Sequence, residues 1–468
     1  MTTDAERPRG APLHSVQQEV ARARRAALSA SRAQAAHVRT ARRKARLRLS
    51  VIGLGGFLAV VLLLALVGSA GSQPTGSASA SRSRLSRAVV APVLRSTLAA
   101  SMRFPGKPAA VPLPKTGEAA VAVAGAGVVS ATKNERSVPI ASVTKIMTAY
   151  LVLKDHPLVG GGGGPVFVMT AKDHQAWIRA SESDDSNIEI LAGERLDERQ
   201  LLQALMIPSA DNIADYLARW DAGSVPAFVG KMNAETVALG LTGTHYADAS
   251  GVNPRSRSTA VDMATLASIA MENPELRSIV DEQSIRLPVT GEIWNVYNPA
   301  IGVDGIIGVK SGFTTAAQAN LVTAAWHTVD GRRELIVSAA IDQPTSLYGA
   351  ADEDEAMLLA VGRELTATTV VAGETEVGQA MAAWNHSHTA VLVGSPEVLV
   401  GWPGLMLSPA VLAAKPSKQA STHGWRAGTT IGTFELLYPF GTAVSEPVLL
   451  QRSIGPPPPG WRPPILVP

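Results

Sequence analysis

The run Val51 to Gly68, "VIGLGGFLAVVLLLALVG", carries no charged side chain over 18 residues and divides this 468-residue chain very unequally. A helix rising about 1.5 Å per residue needs only such a stretch to cross a hydrocarbon core of about 30 Å. The chain therefore does not read as one soluble globule. Residues 1–50 hold 12 Lys and Arg against 3 Asp and Glu, while everything after them holds 30 against 36. The basic flank of a span stays in the cytoplasm. This predicts a cytoplasmic tail over 1–48, a membrane anchor over 49–70 and export of the rest. A cleaved leader is the rival reading, but so long a basic region exceeds what leaders usually carry. The net charge of +3 belongs to the tail, and beside a span it points to anionic lipid headgroups rather than nucleic acid.

Beyond the anchor, "SAGSQPTGSASASRSR" is too poor in large apolar residues to order itself and reads as a flexible linker over 71–90. The alternation in "AAVAVAGAGVVSA" suggests strands, and five glycines at 160–164 make a loop. That loop has no following Gly-Lys-Ser/Thr, so it is not a phosphate cradle. Between 195 and 275 apolar residues recur at three- and four-residue spacing, as in helices. Strand patterns return in "GIIGVKSG", "ANLVTAAWHTV" and "RELIVSAAI". Short β-type runs broken by Pro and Gly then suggest a small β-rich domain over 373–455, followed by an extended Pro-rich tail over 456–468. With no cysteine, thiol nucleophiles, thiolate metal sites and disulfides are excluded. His386 and His388 lack a third ligand nearby in sequence, and no metal site is expected.

Chemistry enters at "ASVTKIMTAY", where Ser142 precedes Lys145 by three residues at the start of an apolar helical run. Residues i and i+3 of a helix are neighbours, so hydroxyl and amine can touch. A capping serine beside a snorkelling lysine would explain the pair equally well. Ser130 and Lys133 have the same spacing but lead into the polar "NERS", where no helix would align them. Two further stretches add weight: "PSADNIADYLARW", with Ser209 opening a helical segment, and "GVKSGFTTAA", with Lys310, Ser311 and Gly312 closing a strand.

These three elements in this order resemble the Ser-x-x-Lys, Ser-x-Asn and Lys-Thr/Ser-Gly motifs of the penicillin-recognising serine enzymes. "LGLTGTHYADASGVNP" and "STAVDMATL" narrow the resemblance to the D-alanyl-D-alanine carboxypeptidases of the low-molecular-mass penicillin-binding class, over roughly 95–370. The resemblance implies an α/β, β-lactamase/transpeptidase-like fold, an antiparallel sheet flanked by helices with an all-helical region, as the catalytic domain over 91–372. It also implies a serine-type carboxypeptidase that removes the terminal D-alanine of peptidoglycan stem peptides, needs no cofactor and is acylated by β-lactams. Ser142 would be the nucleophile and Lys145 its base. An ordinary lysine is neutral in only about one molecule in two thousand at pH 7, so such a site must discourage the ammonium, with Lys310 as the nearby second cation. By the same resemblance, the backbone N–H groups of Ser142 and Phe313 would hold the oxyanion. Ser209 and Lys310 would pass a proton to the leaving amine, Lys310 and Ser311 would bind the substrate carboxylate, and Gly312 would leave room for the substrate backbone.

One position departs from the pattern. Asp211 stands where the family has asparagine, with Asn212 next to it. An ionised aspartate only accepts hydrogen bonds, and beside Lys145 it would stabilise the ammonium. Three outcomes stay open: Asp211 held protonated, Asn212 taking its place, or slow turnover. The second class of function is therefore a weakened or inactive envelope protein that binds peptidoglycan or partners. A β-lactamase is disfavoured, since no Glu-x-x-Leu-Asn stretch lies between Ser209 and Lys310. Gln318, where relatives often have glycine, has no explanation at this level. Thr244, His245, Asp248 and Asp262 read as scaffold of the helical region.

Overall fold

Small apolar residues in "EAAVAV" build strand β1 (Glu118–Val123), buried along its whole length. Such a strand needs cover on both faces. It pairs with β2 (Gly127–Ala131), and with β3 (Ile306–Thr314), β4 (Gln318–Val329) and β5 (Arg332–Gln343) it forms an antiparallel sheet of order β3-β4-β5-β1-β2. The structure, a computed structural model, describes residues 92–461 apart from 109, 184, 296–297 and 415–422. The proposed tail, anchor and linker lie outside these residues. Among the described residues no helix is long and apolar enough to cross a membrane.

Helix α1 (Lys145–Asp155) follows a 3-10 turn at Ala141–Thr144, and α2 (Glu198–Met206), α3 (Asp211–Ala222) and α4 (Ala260–Ala270) complete the helices that shape the site. The α4 sequence "AVDMATLASIA" is apolar nearly all round, as befits a helix packed between β1 and the other helices. On the opposite face α5 (Leu347–Glu364) covers β4 and β5. The sheet thus has one face toward the helical region and one toward α5, and β3 is an edge strand beside the 3-10 turn.

The scaffold reading of the helical region agrees with the contacts. Thr244 Oγ1 and the Gly243 amide both donate to Asp262 at 2.7 and 2.8 Å. Gln318 also finds its account here, because it takes φ 59° where β4 leaves the turn from β3. That left-handed conformation favours glycine and costs other residues about 1–2 kcal/mol.

The five-glycine loop lies against the start of α2. A Cβ on Gly163 would fall 2.3 Å from Asp197 Oδ2, and one on Gly164 2.8 Å from Glu198 Oε2. Glu198 is only 1% exposed, and burial, reinforced by Asp197, pushes its carboxyl up to about 7. An acid with a raised native value binds more protons folded than unfolded, so stability falls as pH rises from about 4.5 to 7. Glu198→Gln is expected to match the wild type at pH 4.5 and to be more stable by about 1–3 kcal/mol at pH 8, read by chemical denaturation. Equal differences at both pH values would remove this account.

The C-terminal β part differs from the sequence expectation at its edges. Val93–Ser96 pairs antiparallel with Glu376–Met381, and Met102–Arg103 pairs with Met406–Ala413. Residues assigned to the catalytic domain from 91 onward thus begin inside a seven-stranded sheet otherwise built after 375. Local pattern gives no register between segments so far apart in sequence. The start of the Pro-rich tail is also less solvated than expected, since Trp461 packs edge-on against Trp384 with ring centroids 5.9 Å apart.

Candidate active site

Ser142 sits in the 3-10 turn that precedes α1, and the α-helix expected to open at Ser142 begins three residues later, at Lys145. Ala141 before it takes φ 46°, a left-handed conformation that an alanine adopts only when its surroundings impose it. The surroundings are close. A Cβ on Gly251 would lie 1.8 Å from the Ala141 carbonyl oxygen, and one on Gly312 would lie 2.7 Å from the Ser142 nitrogen. The missing Cβ of Gly312 lets edge strand β3 press against the nucleophile's own backbone.

Lys145, fully buried at the first position of α1, places its amine against three acceptors. Its Nζ lies 2.8 Å from Ser142 Oγ, 2.5 Å from Asp211 Oδ1 and 2.8 Å from the Ser250 carbonyl oxygen. The Ser130 and Lys133 decoy is dismissed, because Ser130 belongs to strand β2.

Asp211 opens α3, and its amide donates to the Ser186 carbonyl at 2.7 Å. Burial raises its carboxyl above the usual carboxylate range, with the Lys145 amine beside it pulling the other way. Asn212 does not take over its place. Its side-chain amide donates to the Ile188 carbonyl at 3.0 Å and accepts from the Ile188 amide at 3.2 Å, which closes that alternative. Ser209 precedes α3 at φ 63° and is 3% exposed, with its hydroxyl unpaired among the described residues. A buried hydroxyl without a partner is costly and is kept where something else uses it.

Lys310 on β3 is 2% exposed and donates to the Ser311 carbonyl at 2.9 Å. Burial holds its amine well below the ordinary lysine range, and the Lys145 charge adds to this, against a smaller opposing pull from Asp211. Ser311 is buried at 3% and Phe313 is 60% exposed near the end of the strand. The structure brings Ser142, Lys145, Asp211 and Lys310 into one cluster. The Ser311 carbonyl joins it through its hydrogen bond from Lys310, whereas the Ser209 hydroxyl has no hydrogen-bond partner among the described residues. Among the described residues no group of three or more His, Asp or Glu side chains is placed to hold a metal ion.

Sequence reasoning missed Ser250 and Gly251. One contributes only a carbonyl, which every residue has, and the other only the absence of a Cβ. The arrangement can do acyl-transfer chemistry: a hydroxyl against an amine, a turn with a left-handed residue carrying that hydroxyl, and a second buried amine on a neighbouring edge strand.

Comparison with known proteins gives a consistent picture. A family model described as D-alanyl-D-alanine carboxypeptidase matches residues 115–344. The D-alanyl-D-alanine carboxypeptidase of Streptomyces sp. (strain K15) is 32% identical over 200 residues, covering 39% of this chain and 67% of that protein. The D-alanyl-D-alanine carboxypeptidase DacD of Salmonella typhimurium is 30% identical over 207 residues, covering 42% of this chain and 50% of its own length. The match therefore takes in between half and two thirds of these relatives. Among solved structures, penicillin binding protein 5 from Haemophilus influenzae aligns with a TM-score of 0.54 at 19% identity, over 75% of this chain and 99% of that one, a likeness of fold.

Proposed function

We propose, from the premise that this chain belongs to the D-alanyl-D-alanine carboxypeptidase family, that it removes the terminal D-alanine from peptidoglycan stem peptides. The observation that carries the reading is the Lys145 amine 2.8 Å from Ser142 Oγ, with its other two partners fixed. In the neutral amine, the Asp211 carboxylate and the Ser250 carbonyl take its two N–H bonds, and the lone pair faces the hydroxyl. Ser142 Oγ attacks the penultimate carbonyl carbon while its proton passes to Lys145. The oxyanion meets the backbone N–H groups of Ser142 and Phe313. The C–N bond then breaks, the departing D-alanine amine takes up a proton through Ser209 and Lys310, and water hydrolyses the remaining ester.

Lys310 and Ser311 hold the terminal carboxylate in this reading. Burial pulls the Lys310 amine well below the ordinary lysine range, and a carboxylate bound beside it pulls the other way, toward the ammonium that holds the anion. β-Lactams enter by the same attack and stay as esters on Ser142. The uncharged run Val51 to Gly68 with its basic upstream flank supports a single-pass anchor and an extracytoplasmic catalytic part.

The test treats the full chain with a penicillin and maps the adduct by mass spectrometry, alongside release of D-alanine from a peptide ending in D-Ala-D-Ala. An adduct on the peptide containing Ser142, lost in Ser142→Ala, and free D-alanine are expected. A Ser142 adduct without released D-alanine would support the second reading, a weakened binding protein, which the close Asp211–Lys145 pair favours. The absence of any adduct on Ser142 would end both the nucleophile and the base assignment.

A further inference from the structure

One carboxylate outside the cluster organises the loop that reaches it. Asp248 Oδ2 accepts from the Gly251 amide at 3.0 Å, the Asn253 amide at 2.9 Å and Ser250 Oγ at 3.1 Å, while Oδ1 accepts from Ser256 Oγ at 2.5 Å. Ser256 Oγ in turn accepts from the Ala247 amide at 3.0 Å, which closes the loop on itself. Four donors on one carboxylate hold 248–256 in a single conformation.

That conformation is pressed against the nucleophile turn and α1 at three successive residues. The Ala249 carbonyl accepts from Thr148 Oγ1 at 2.7 Å, the Ser250 carbonyl accepts from Lys145 Nζ at 2.8 Å, and Gly251 (φ 89°) lies flat against the Ala141 carbonyl. The hydrogen bond from Lys145 to this loop goes to a backbone carbonyl.

We infer that Asp248 is a positioning residue for the base, acting through the Ser250 carbonyl to aim the lone pair of Lys145 at Ser142. A carbonyl oxygen can only accept, so wherever it stands it commands an N–H. Asp211 Oδ1 commands a second. A neutral amine then has a single direction left for its lone pair, toward Ser142 Oγ. Without the carbonyl, the amine is free to turn about its terminal bond and present an N–H to the hydroxyl, a contact that cannot take a proton. The earlier scaffold reading of Asp248 thus becomes a scaffold with one chemical consequence. The inference rests on the proposed roles of Ser142 and Lys145.

The experiment follows acylation of the full chain by a fluorescent penicillin over a range of concentrations, separating the binding constant K from the first-order acylation constant k2. Asp248→Ala is expected to lower k2 about tenfold with K unchanged, since misaligned reacting groups lose rate before they lose affinity. Asp248→Asn keeps an amide oxygen for the three donors that converge on Oδ2, and should restore k2 to within about threefold of wild type. Ser256→Ala, which removes one donor of four, should lower k2 about twofold to threefold, again with K unchanged. If Asp248→Ala fails to give a cooperative thermal transition, Ser256→Ala decides by the same criterion.

Wild-type k2 in a folded Asp248→Ala protein, or K and k2 worsening together in the Ala and Asn variants alike, would overturn the inference. A wild type that takes no label at Ser142 would instead overturn the parent reading, and this one with it.

Discussion

Lys310→Met is expected to make the protein more stable and its acylation far slower. The amine is 2% exposed, and its burial and the Lys145 charge push it well below the ordinary lysine range. Unfolded, the same lysine titrates near 10.4. Below that value the unfolded chain takes up a proton that the folded site resists, so wild-type stability rises with pH between the depressed native value and about 10.4. The methionine variant loses this dependence. Its advantage should be about 1–4 kcal/mol at neutral pH, as for other buried charges exchanged for apolar side chains of similar volume, and should vanish near pH 10.4. Acylation should fall by roughly a hundredfold to a thousandfold, because removing one member of a desolvated charge pair costs about 2–5 kcal/mol. Denaturation at three pH values and penicillin labelling measure the two effects separately. A variant that is both less stable and fully reactive would show that Lys310 belongs to the scaffold alone.

Asp211→Asn is expected to move acylation the other way. Asp211 Oδ1 stands 2.5 Å from an amine whose side chain is fully buried, and its own side chain is 12% exposed. A hydrogen bond to a charged group contributes about 1.5–3 kcal/mol, and the ionised pair spends that on holding the proton where the base must be free of it. Asparagine keeps the acceptor, drops the charge and adds a donor for the substrate carbonyl. At about 1.4 kcal/mol per factor of ten, acylation of Ser142 should rise roughly tenfold to a hundredfold. The same change should cost some stability, because an attractive contact is lost. Stopped-flow labelling of the two proteins side by side is the measurement; an unchanged or slower rate in the asparagine variant would mean that the carboxylate is no handicap.

The cluster was legible where chemistry dictates residue type at a fixed spacing. Ser142 and Lys145 meet at 2.8 Å, and Lys310 comes from an edge strand 165 positions later in the chain to influence both Lys145 and Asp211. The helices of the 195–275 region were legible from apolar spacing for the same reason, since each must bury one face. What escaped were features without a side-chain signature. The Ser250 carbonyl could belong to any residue. The left-handed backbone at Ala141, Ser209 and Gln318 carries no mark in residue type, since none of the three is glycine. Asp248 read as scaffold of the helical region, but its four donors come together only once the loop has folded. The approach of Gly312 to the Ser142 backbone also escaped, because the two lie on different elements.

The pairing of Val93–Ser96 with Glu376–Met381, and of Met102–Arg103 with Met406–Ala413, makes the catalytic part an insertion within a discontinuous β module. A polypeptide leaving the ribosome presents those first two strands long before their partners exist, and they must wait for more than 270 residues to be synthesised. Cutting the gene after residue 372 would therefore not liberate a trimmed enzyme. It would leave two orphaned strands and a buried phenylalanine, Phe104, exposed at its amino end, a recipe for aggregation that removing residues 92–104 in the same deletion should cure.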